Sequence, residues 1–325
     1  MKFLKAILSV AIVTAFVSLA MPTFAQPVVS ASTPNAAAQE FLGRWDLTLK
    51  SIDHEYPSWI EIDQKDGKLS ARFVGRWGNA RPLPKVEIRG NHITFVSPKD
   101  EEGSKEDMVF DGTLTNNMLS GTTNGPEGTP WTWTGVRAPA LHETGAPKWG
   151  KPIPLFNGKD LTGWKMTAAG PPSWTVQDGN LVTPGNGPEL ISDTKVRDFK
   201  LHVEFNCGPT SNSGVYLRGR YEVQIETDSV EEPPSHHTGG VYGFIAPSPE
   251  QPRTPDTWQT FDITFVGRDV TVVHNGKTVI DHQEIPGITG GALNSREGEP
   301  APIYLQGSEK GHVQFRSIVL TPAEK

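Results

Sequence analysis

Short stretches of alternating apolar and polar residues, separated by turn residues, limit most strongly how this chain can fold. Side chains on a β-strand point alternately to its two faces, so each such stretch predicts a strand with one buried face. Residues 199–205 alternate well, and Asn157-Gly158 and Asn275-Gly276 are strong turn signals between other stretches. Because the chain has no convincing helical periodicity, the pattern predicts an all-β fold.

Residues 212–226, which read NSGVYLRGRYEVQIE, predict two strands joined by a tight turn near Gly219-Arg220. A three-residue loop from Gly219 to Tyr221 would pair Arg218 with Glu222. A two-residue loop would instead place apolar Leu217 opposite Glu222, so the longer loop is the prediction. One face of the hairpin then carries Val215, Leu217, Val223 and Ile225, and the other carries Tyr216, Arg218, Glu222 and Gln224.

The second face of this hairpin combines a phenol, a guanidinium, a carboxylate and a carboxamide. These groups suit a surface that binds a hydroxylated ligand. The alternative is an ordinary half-exposed hairpin with a cross-strand pair between Arg218 and Glu222.

The N-terminal segment predicts export. Lys2 and Lys5 precede an apolar run that ends near Met21, and Thr23-Phe24-Ala25 supplies a small residue at the expected cleavage site. We therefore expect residues 1–25 to be a secretory signal peptide and the mature protein to be periplasmic or secreted. The run is shorter than the ~20 apolar residues that a membrane span needs, so no transmembrane span is expected in the mature chain.

The rest of the chain predicts two β units and two linkers. Residues 26–38 are expected to be a flexible linker. Residues 39–138 predict a small antiparallel barrel or sandwich, and Gly43-Arg44-Trp45 resembles the start of lipocalin-like small barrels. Residues 139–152, rich in Pro and Gly, predict the boundary, and residues 153–325 predict a two-sheet sandwich or jelly roll that is separable from the first unit.

Four tryptophans of the first unit are candidates for stacking on sugar rings, although core burial is the commoner role of such residues. They are Trp45, Trp77, Trp131 and Trp133.

Composition limits the partners and the redox chemistry. The net charge is −7 and no basic stripe is present, which argues against nucleic acid as a partner. The one cysteine, Cys207, excludes an internal disulfide and is expected to be a buried structural thiol. The sequence leaves the oligomeric state open.

Several motifs of the second unit, in this order, resemble the 3-keto-disaccharide hydrolase domain family over about residues 153–322. They include FNGKDLTGW, FKLHVEF, NSGVYLRGRYEVQI, HHTGGVYGFIAP and IYLQGSEKGHVQFRSIVL. The resemblance implies a concanavalin A-like jelly-roll β-sandwich.

The closing segment departs from the family, in which Leu-Gln or Leu-Gln-Gly is often followed by Asp-His-Gly. Here Gly307 is followed by Ser308 to His312, and whether His312 replaces the family histidine stays open.

The resemblance further implies cleavage of glycosides, or of disaccharides, whose sugar carries a ketone at C3. That ketone acidifies the C2 hydrogen, so a base can remove it, the C1 substituent leaves by elimination, and water adds to the enone. In this scheme Glu222 is the base, Arg218 holds the enolate oxygen or binds sugar hydroxyls, and His236 or His237 protonates the leaving group. The expected substrate-binding residues are Tyr216, Gln224, His202, Glu204 and Gln306.

Each of these assignments has a structural alternative. Arg218 and Glu222 can form a simple salt bridge, His236 and His237 can be solvated, and His202 and Glu204 can face solvent. A divalent metal ion is an open option, because Glu222, His236, His237, Asp228 and Glu231 lie within a short span. Their spacing forms no recognised metal signature. A non-catalytic, lectin-like carbohydrate-binding protein is the competing function.

Overall fold

The computed structural model describes residues 36–141, 145–170, 174–183, 185–226, 232–252, 254–308 and 310–324. The predicted signal peptide and most of the predicted linker 26–38 lie outside these ranges. The last residues of that linker belong to a short helix, α1, at Ala36–Gln39.

Strands β1 to β9 form one antiparallel sheet in the order β4-β3-β2-β1-β9-β8-β7-β6-β5. Their bounds are Gly43–Lys50, Glu55–Lys65, Lys68–Val74, Arg81–Pro82, Lys85–Arg89, His92–Ser97, Met108–Thr115, Met118–Asn124 and Pro130–Arg137. A short helix, α2, spans Lys99–Glu102. The sheet curls around its own core of aromatic and aliphatic side chains, including Trp45, Phe95 and Trp133. We call this unit the first sheet.

The remaining strands form a sandwich of two antiparallel sheets. Strands β10 to β23 are Lys148–Trp149, Ile153–Pro154, Trp164–Met166, Thr175–Gln177, Asn180–Thr183, Leu190–Val196, Phe199–Cys207, Asn212–Leu217, Tyr221–Glu226, Gln259–Val266, Asp269–His274, Lys277–Glu284, Ala301–Leu305 and Val313–Glu324. The larger sheet has the order β13-β14-β23-β16-β19-β20-β21, with β10 and β11 also paired to β23. The smaller sheet has the order β12-β15-β22-β17-β18. A single turn of 3-10 helix spans Pro234–His236.

The predicted all-β fold, with a jelly-roll sandwich in the second half, is confirmed. The alternating strands pack their apolar faces between the two sheets, as the sequence pattern requires. Cys207 is free and completely buried in this core, and burial raises the pKa of its thiol to about 12. Within the described ranges, no helix is long and apolar enough to cross a membrane.

The first sheet also contacts the sandwich core. Trp59 and Val74 belong to the apolar cluster of the sandwich, and the Trp59 indole meets the Phe244 ring edge-on at 5.3 Å between centroids. Strand pairing of the first sheet ends at Arg137, and pairing within the sandwich begins at Lys148. Whether residues 153–325 fold alone stays a prediction.

Candidate active site

The central hairpin turns one residue earlier than the sequence argument proposed. Leu217 pairs with Tyr221 and Tyr216 pairs with Glu222, so the loop is Arg218-Gly219-Arg220 and the predicted register is wrong. Arg218 adopts a left-handed backbone with φ of 51° and Gly219 follows with φ of 60°, which turns the chain before Arg218 can join the strand.

The predicted apolar face is nevertheless correct. Val215, Leu217, Val223 and Ile225 are fully buried in the sandwich core. The observed pairing differs from the predicted one by two residues, so each side chain keeps the face that alternation gives it. Tyr216, Glu222 and Gln224 therefore still share the opposite face.

That opposite face lines a cavity of about 590 Å³. The hairpin contributes Tyr216, Glu222 and Gln224. The sandwich also contributes Thr167, Glu189, Asn212, Tyr242, Tyr304, Gln306 and residues 290–293. The first sheet contributes residues 54–57 and 76–78, so the cavity lies where the two β units meet.

Glu222 is the buried carboxylate of this cavity. It is 3% exposed, and its Oε2 atom lies 2.8 Å from the Tyr216 hydroxyl. The Tyr216 hydroxyl lies equally close, at 2.8 Å, to the carbonyl oxygen of Gly290, so it has two acceptors for its proton. Burial, followed by the neighbouring Glu222 charge, raises the pKa of Tyr216 well above its ordinary value. Tyr216 thus remains a neutral donor that orients Glu222.

Two neighbours fix this pair in place. The Tyr304 ring stacks on the Tyr216 ring at 4.2 Å between centroids. Gly214, on the adjacent strand, leaves room for the carboxylate, because a Cβ atom there would lie 2.2 Å from Glu222 Oε1. Any larger residue at position 214 would displace the Glu222 side chain.

Two carboxamides present free acceptors to the cavity. Gln224 Nε2 donates to Asn212 Oδ1 at 3.2 Å. The Oε1 atoms of Gln224 and Gln306 are buried and have no hydrogen-bond partner among the described residues. A buried acceptor without a partner is costly, so a ligand that donates to these atoms would be favoured.

His236 lies in a smaller adjoining cavity of about 80 Å³, which shares Asn212, Gln224 and Tyr242 with the larger one. Its ring stacks on Tyr242 at 4.2 Å, and its Nδ1 atom lies 3.0 Å from Glu232 Oε2. Its Nε2 atom is buried and has no hydrogen-bond partner within the described ranges. His236 therefore lies beside Gln224, in a cavity that shares residues with the one lined by Glu222, and its role as the acid stays a prediction.

His237 faces elsewhere. Its Nδ1 atom lies 3.0 Å from Glu250 Oε1, and its Nε2 atom lies 3.1 Å from the carbonyl oxygen of Glu232. Among the described residues that line the two cavities, His237 is absent. Of the two candidate histidines, the structure brings only His236 to the site.

The predicted position of Arg218 beside Glu222 is wrong. Its guanidinium is fully buried on the other side of the hairpin, where Nη2 donates to the Gly267 carbonyl oxygen at 2.8 Å and the guanidinium carbon lies 4.9 Å from the Phe265 ring centroid. The cause is the early turn, because Arg218 is a loop residue and does not follow strand alternation.

His202 and Glu204 also lie away from the cavity. They are on β16, in the larger sheet, whereas the hairpin belongs to the smaller sheet. His202 Nδ1 lies 2.7 Å from Asp262 Oδ1, and Glu204 accepts a hydrogen bond from Arg316, which lowers the pKa of Glu204. His312 is 41% exposed and lies 3.7 Å from Asp256, outside both cavities.

Sequence reasoning missed several lining residues. Alternation from Gln306 back along β22 would have indicated Tyr304, which lines the same cavity. No local signal indicated the residues of the first sheet.

For a metal ion, no group of three His, Cys, Asp or Glu side chains suited to hold one occurs in the described part of the chain. Asp228 and Glu231 lie outside that part.

The fold and cavity define a β-sandwich protein with a buried carboxylate and free carboxamide oxygens in a polar cavity, an arrangement suited to a hydroxylated small molecule. The chain belongs to the family of the 3-keto-alpha-glucoside-1,2-lyase-like domain, whose model matches residues 151–321. The family is one of carbohydrate hydrolase-like proteins, and the resemblance seen in the sequence is confirmed.

Individual relatives are distant. A 3-keto-disaccharide hydrolase from Bacteroides thetaiotaomicron is 29% identical over 75 residues, which are 20% of this chain and 26% of that protein. The match thus spans about a quarter of that relative. A solved structure from Parabacteroides distasonis, assigned as a glycosyl hydrolase, is 25% identical with a TM-score of 0.45 and covers 56% of this chain and 93% of its own. Another structure assigned as a glycosyl hydrolase from the same organism is 23% identical with a TM-score of 0.42, covering 53% of this chain and 100% of its own.

Proposed function

We propose that this protein is an exported enzyme that cleaves glycosidic bonds of 3-keto-glycosides or 3-keto-disaccharides. The reaction begins with removal of the C2 proton, which the C3 ketone acidifies. The electron pair of the C2–H bond forms an enolate, which expels the C1 substituent and leaves an enone. Water adds to the enone at C1, so the overall result is hydrolysis.

Glu222 is the base in this proposal. It is the buried carboxylate of the cavity, and the Tyr216 hydroxyl, held at 2.8 Å, fixes one of its oxygens. This pair is the observation on which the proposal rests, because a base needs both a defined position and access to the substrate. Gly214 has no side chain that would displace the second oxygen, because a Cβ atom there would lie 2.2 Å from Glu222 Oε1.

Other side chains bind and orient the sugar. The Oε1 atoms of Gln224 and Gln306, which have no hydrogen-bond partner among the described residues, accept hydrogen bonds from sugar hydroxyls. His236 lies in the adjoining cavity, and its buried Nε2 atom is the candidate group that protonates the departing oxygen. Because Arg218 is on the far side of the hairpin, the enolate oxygen needs a different donor among the groups that line the cavity.

The test uses purified protein with a native disaccharide and its 3-keto form. We expect the wild type to release the leaving sugar from the 3-keto form only. Glu222→Gln keeps the shape and the acceptor for Tyr216 but cannot take the proton, so turnover should fall by at least ~100-fold. Glu204→Gln is the matched control, because Glu204 lies on the other sheet, and it should keep normal turnover.

The outcomes separate the two functions. Near-normal turnover by Glu222→Gln would make Glu222 a structural residue. If the wild type binds sugars but cleaves neither form, the protein is a carbohydrate-binding protein of the lectin-like kind. Export is tested separately by mass spectrometry of the extracytoplasmic protein, which should begin at Gln26.

A further inference from the structure

The first sheet contributes part of the cavity that the sandwich alone would leave open. Residues 54–57 and 76–78 line it together with Glu222 and Gln306. The family match begins only at residue 151, so it does not include these residues.

Close backbone contacts fix the first sheet against the sandwich. At Gly290 a Cβ atom would lie 2.3 Å from the Gly78 carbonyl oxygen, and at Gly243 it would lie 2.6 Å from Asn79 Cα. Real Cβ atoms do not approach other atoms this closely, so a side chain at either position would push the segment 76–79 away. The two glycines therefore allow this segment to lie at the edge of the cavity.

Aromatic rings and one cation make up this edge. The Arg76 guanidinium carbon lies 3.6 Å from the Trp77 ring centroid and 5.7 Å from that of Tyr56. Arg76 Nη2 also donates to the Glu102 carbonyl oxygen at 2.5 Å. Arg76 thus supports one face of the Trp77 indole, whereas 47% of Trp77 remains exposed. Unlike Trp45, Trp131 and Trp133, which are buried, Trp77 offers a surface to a ligand.

The two ends of the cavity differ in how far their side chains are exposed to solvent. Tyr216, Glu222 and Gln224 are at most 3% exposed, whereas Trp77 is half exposed and His54 and Glu55 are exposed. A sugar that reacts at Glu222 occupies the buried end. The group attached to its C1 atom then extends toward the outer end of the cavity, where Trp77 is exposed beside Tyr56 and Arg76.

We infer that Tyr56, Arg76 and Trp77 form a subsite for the leaving group, and that this group is a second sugar ring. The apolar C–H face of a pyranose suits the open indole face, and its hydroxyls suit the charged groups of Arg76 and Glu55. This inference rests on the proposed function, because a leaving group exists only if the protein cleaves a glycosidic bond. The first sheet then determines whether the enzyme prefers a disaccharide over a simple glycoside.

The experiment compares a 3-keto-disaccharide with a methyl 3-keto-glucoside, using the full chain. Trp77→Ala should lower kcat/KM for the disaccharide by about tenfold, the effect of losing roughly one stacking contact, and leave the methyl glycoside within about twofold. Met118→Ala, which removes a residue that is 49% exposed on the same sheet but outside the cavity, should change neither.

A second pair of variants tests the same subsite through its position. Gly243→Ala should displace the segment 76–79 and reproduce the selective loss on the disaccharide. Gly276→Ala is the matched control, because Gly276 has a similar φ, 75° against 72°, and a Cβ there would meet nothing within 4 Å. It carries the same backbone strain and should leave the preference between the substrates unchanged.

Equal losses on both substrates, or no loss on the disaccharide, would overturn the inference. A loss confined to an aryl 3-keto-glucoside would also overturn it, because the subsite would then select a flat aromatic group. If the wild type cleaves nothing, the proposed function fails, and calorimetric binding decides the subsite. Trp77→Ala should then weaken binding of the disaccharide about tenfold and leave that of the monosaccharide unchanged.

Discussion

Tyr216 and Glu222 face each other directly across the hairpin, and the Tyr216 hydroxyl lies 2.8 Å from Glu222 Oε2. Stacking on Tyr304 holds the phenol ring, and the Gly290 carbonyl oxygen offers a second acceptor. The hydrogen bond from Tyr216 is therefore one of the contacts that position the proposed base. Removing that bond should affect the rate more than substrate binding.

Tyr216→Phe keeps the ring and removes the hydroxyl. We expect kcat to fall by about tenfold or more, with KM changed by less than about twofold, because Glu222 loses its orientation while the sugar contacts remain. Tyr221→Phe is the matched control. Tyr221 is on β18, the partner strand of the hairpin, and its side chain is on the opposite face, where its hydroxyl donates to Glu297 Oε1 at 2.6 Å. It should lower the free energy of unfolding and leave kcat unchanged.

A rise in KM without a change in kcat for Tyr216→Phe would contradict this role. It would mean that Tyr216 contacts the sugar directly and does not position Glu222. Steady-state kinetics on the 3-keto-disaccharide distinguishes the two results.

The sequence predicted the faces of the hairpin better than its register. Strand alternation has a period of two, so an error of two residues in pairing left Tyr216, Glu222 and Gln224 on the same face. Arg218 was the exception, because a residue in the turn follows the turn geometry and not the alternation. Its φ of 51° is unusual for a residue that is not glycine, and propensity arguments do not predict it.

His202 and Glu204 show a second limit of sequence reasoning. Alternation correctly predicts that they share the polar face of one strand, but it does not say which of the two sheets contains that strand. No sequence pattern predicted that residues of the first sheet line the cavity. Trp77 reaches the cavity only because Gly243 and Gly290 allow close contact between distant segments, and such contacts have no local pattern.

The two neighbouring histidines should differ in function. His236→Gln should lower turnover by about 10- to 100-fold, the lower range of a general acid, because its ring lies in the cavity beside Gln224. The loss should be smaller for a substrate with an acidic leaving group such as 4-nitrophenol, which departs without protonation. His237→Gln, whose ring contacts Glu250 outside the cavities, should keep normal turnover for both substrates. Equal effects of the two substitutions would exclude His236 as the acid.

The apolar face of the hairpin should tolerate no charge. Val223→Asp places an unpaired carboxylate between the two sheets, where Val223 is fully buried, and should lower the free energy of unfolding by more than ~3 kcal/mol. Val109→Asp, at a residue that is 45% exposed in the first sheet, should change it by less than about 1 kcal/mol. Chemical denaturation followed by tryptophan fluorescence measures both. Similar values for the two variants would place Val223 in solvent.

The contact between the two β units includes a buried pair of acids. Asp46, on β1, is 3% exposed and lies beside Glu297, which accepts from Arg268 at 2.9 Å. Burial, followed by the charge of Glu297, raises the pKa of Asp46 to about 9. In the unfolded chain an aspartate titrates near its ordinary value of about 3.9. The folded protein therefore keeps a proton that the unfolded chain loses.

This difference makes folding stability depend on pH in a defined direction. Between about pH 4 and pH 9 the folded state binds more protons than the unfolded state, so the contribution of Asp46 to the free energy of unfolding falls as pH rises. It is fully present below the unfolded pKa and is lost as pH rises toward the folded pKa.

Asp46→Asn keeps the shape of the neutral carboxyl and has no proton to lose. We therefore expect the variant to gain stability relative to the wild type as pH is raised from 5 to 8. Asp63→Asn, at an exposed residue of β2, should run parallel to the wild type. Denaturant unfolding at several pH values measures the difference, and parallel curves for Asp46→Asn and the wild type would show that Asp46 is ionised in the folded protein.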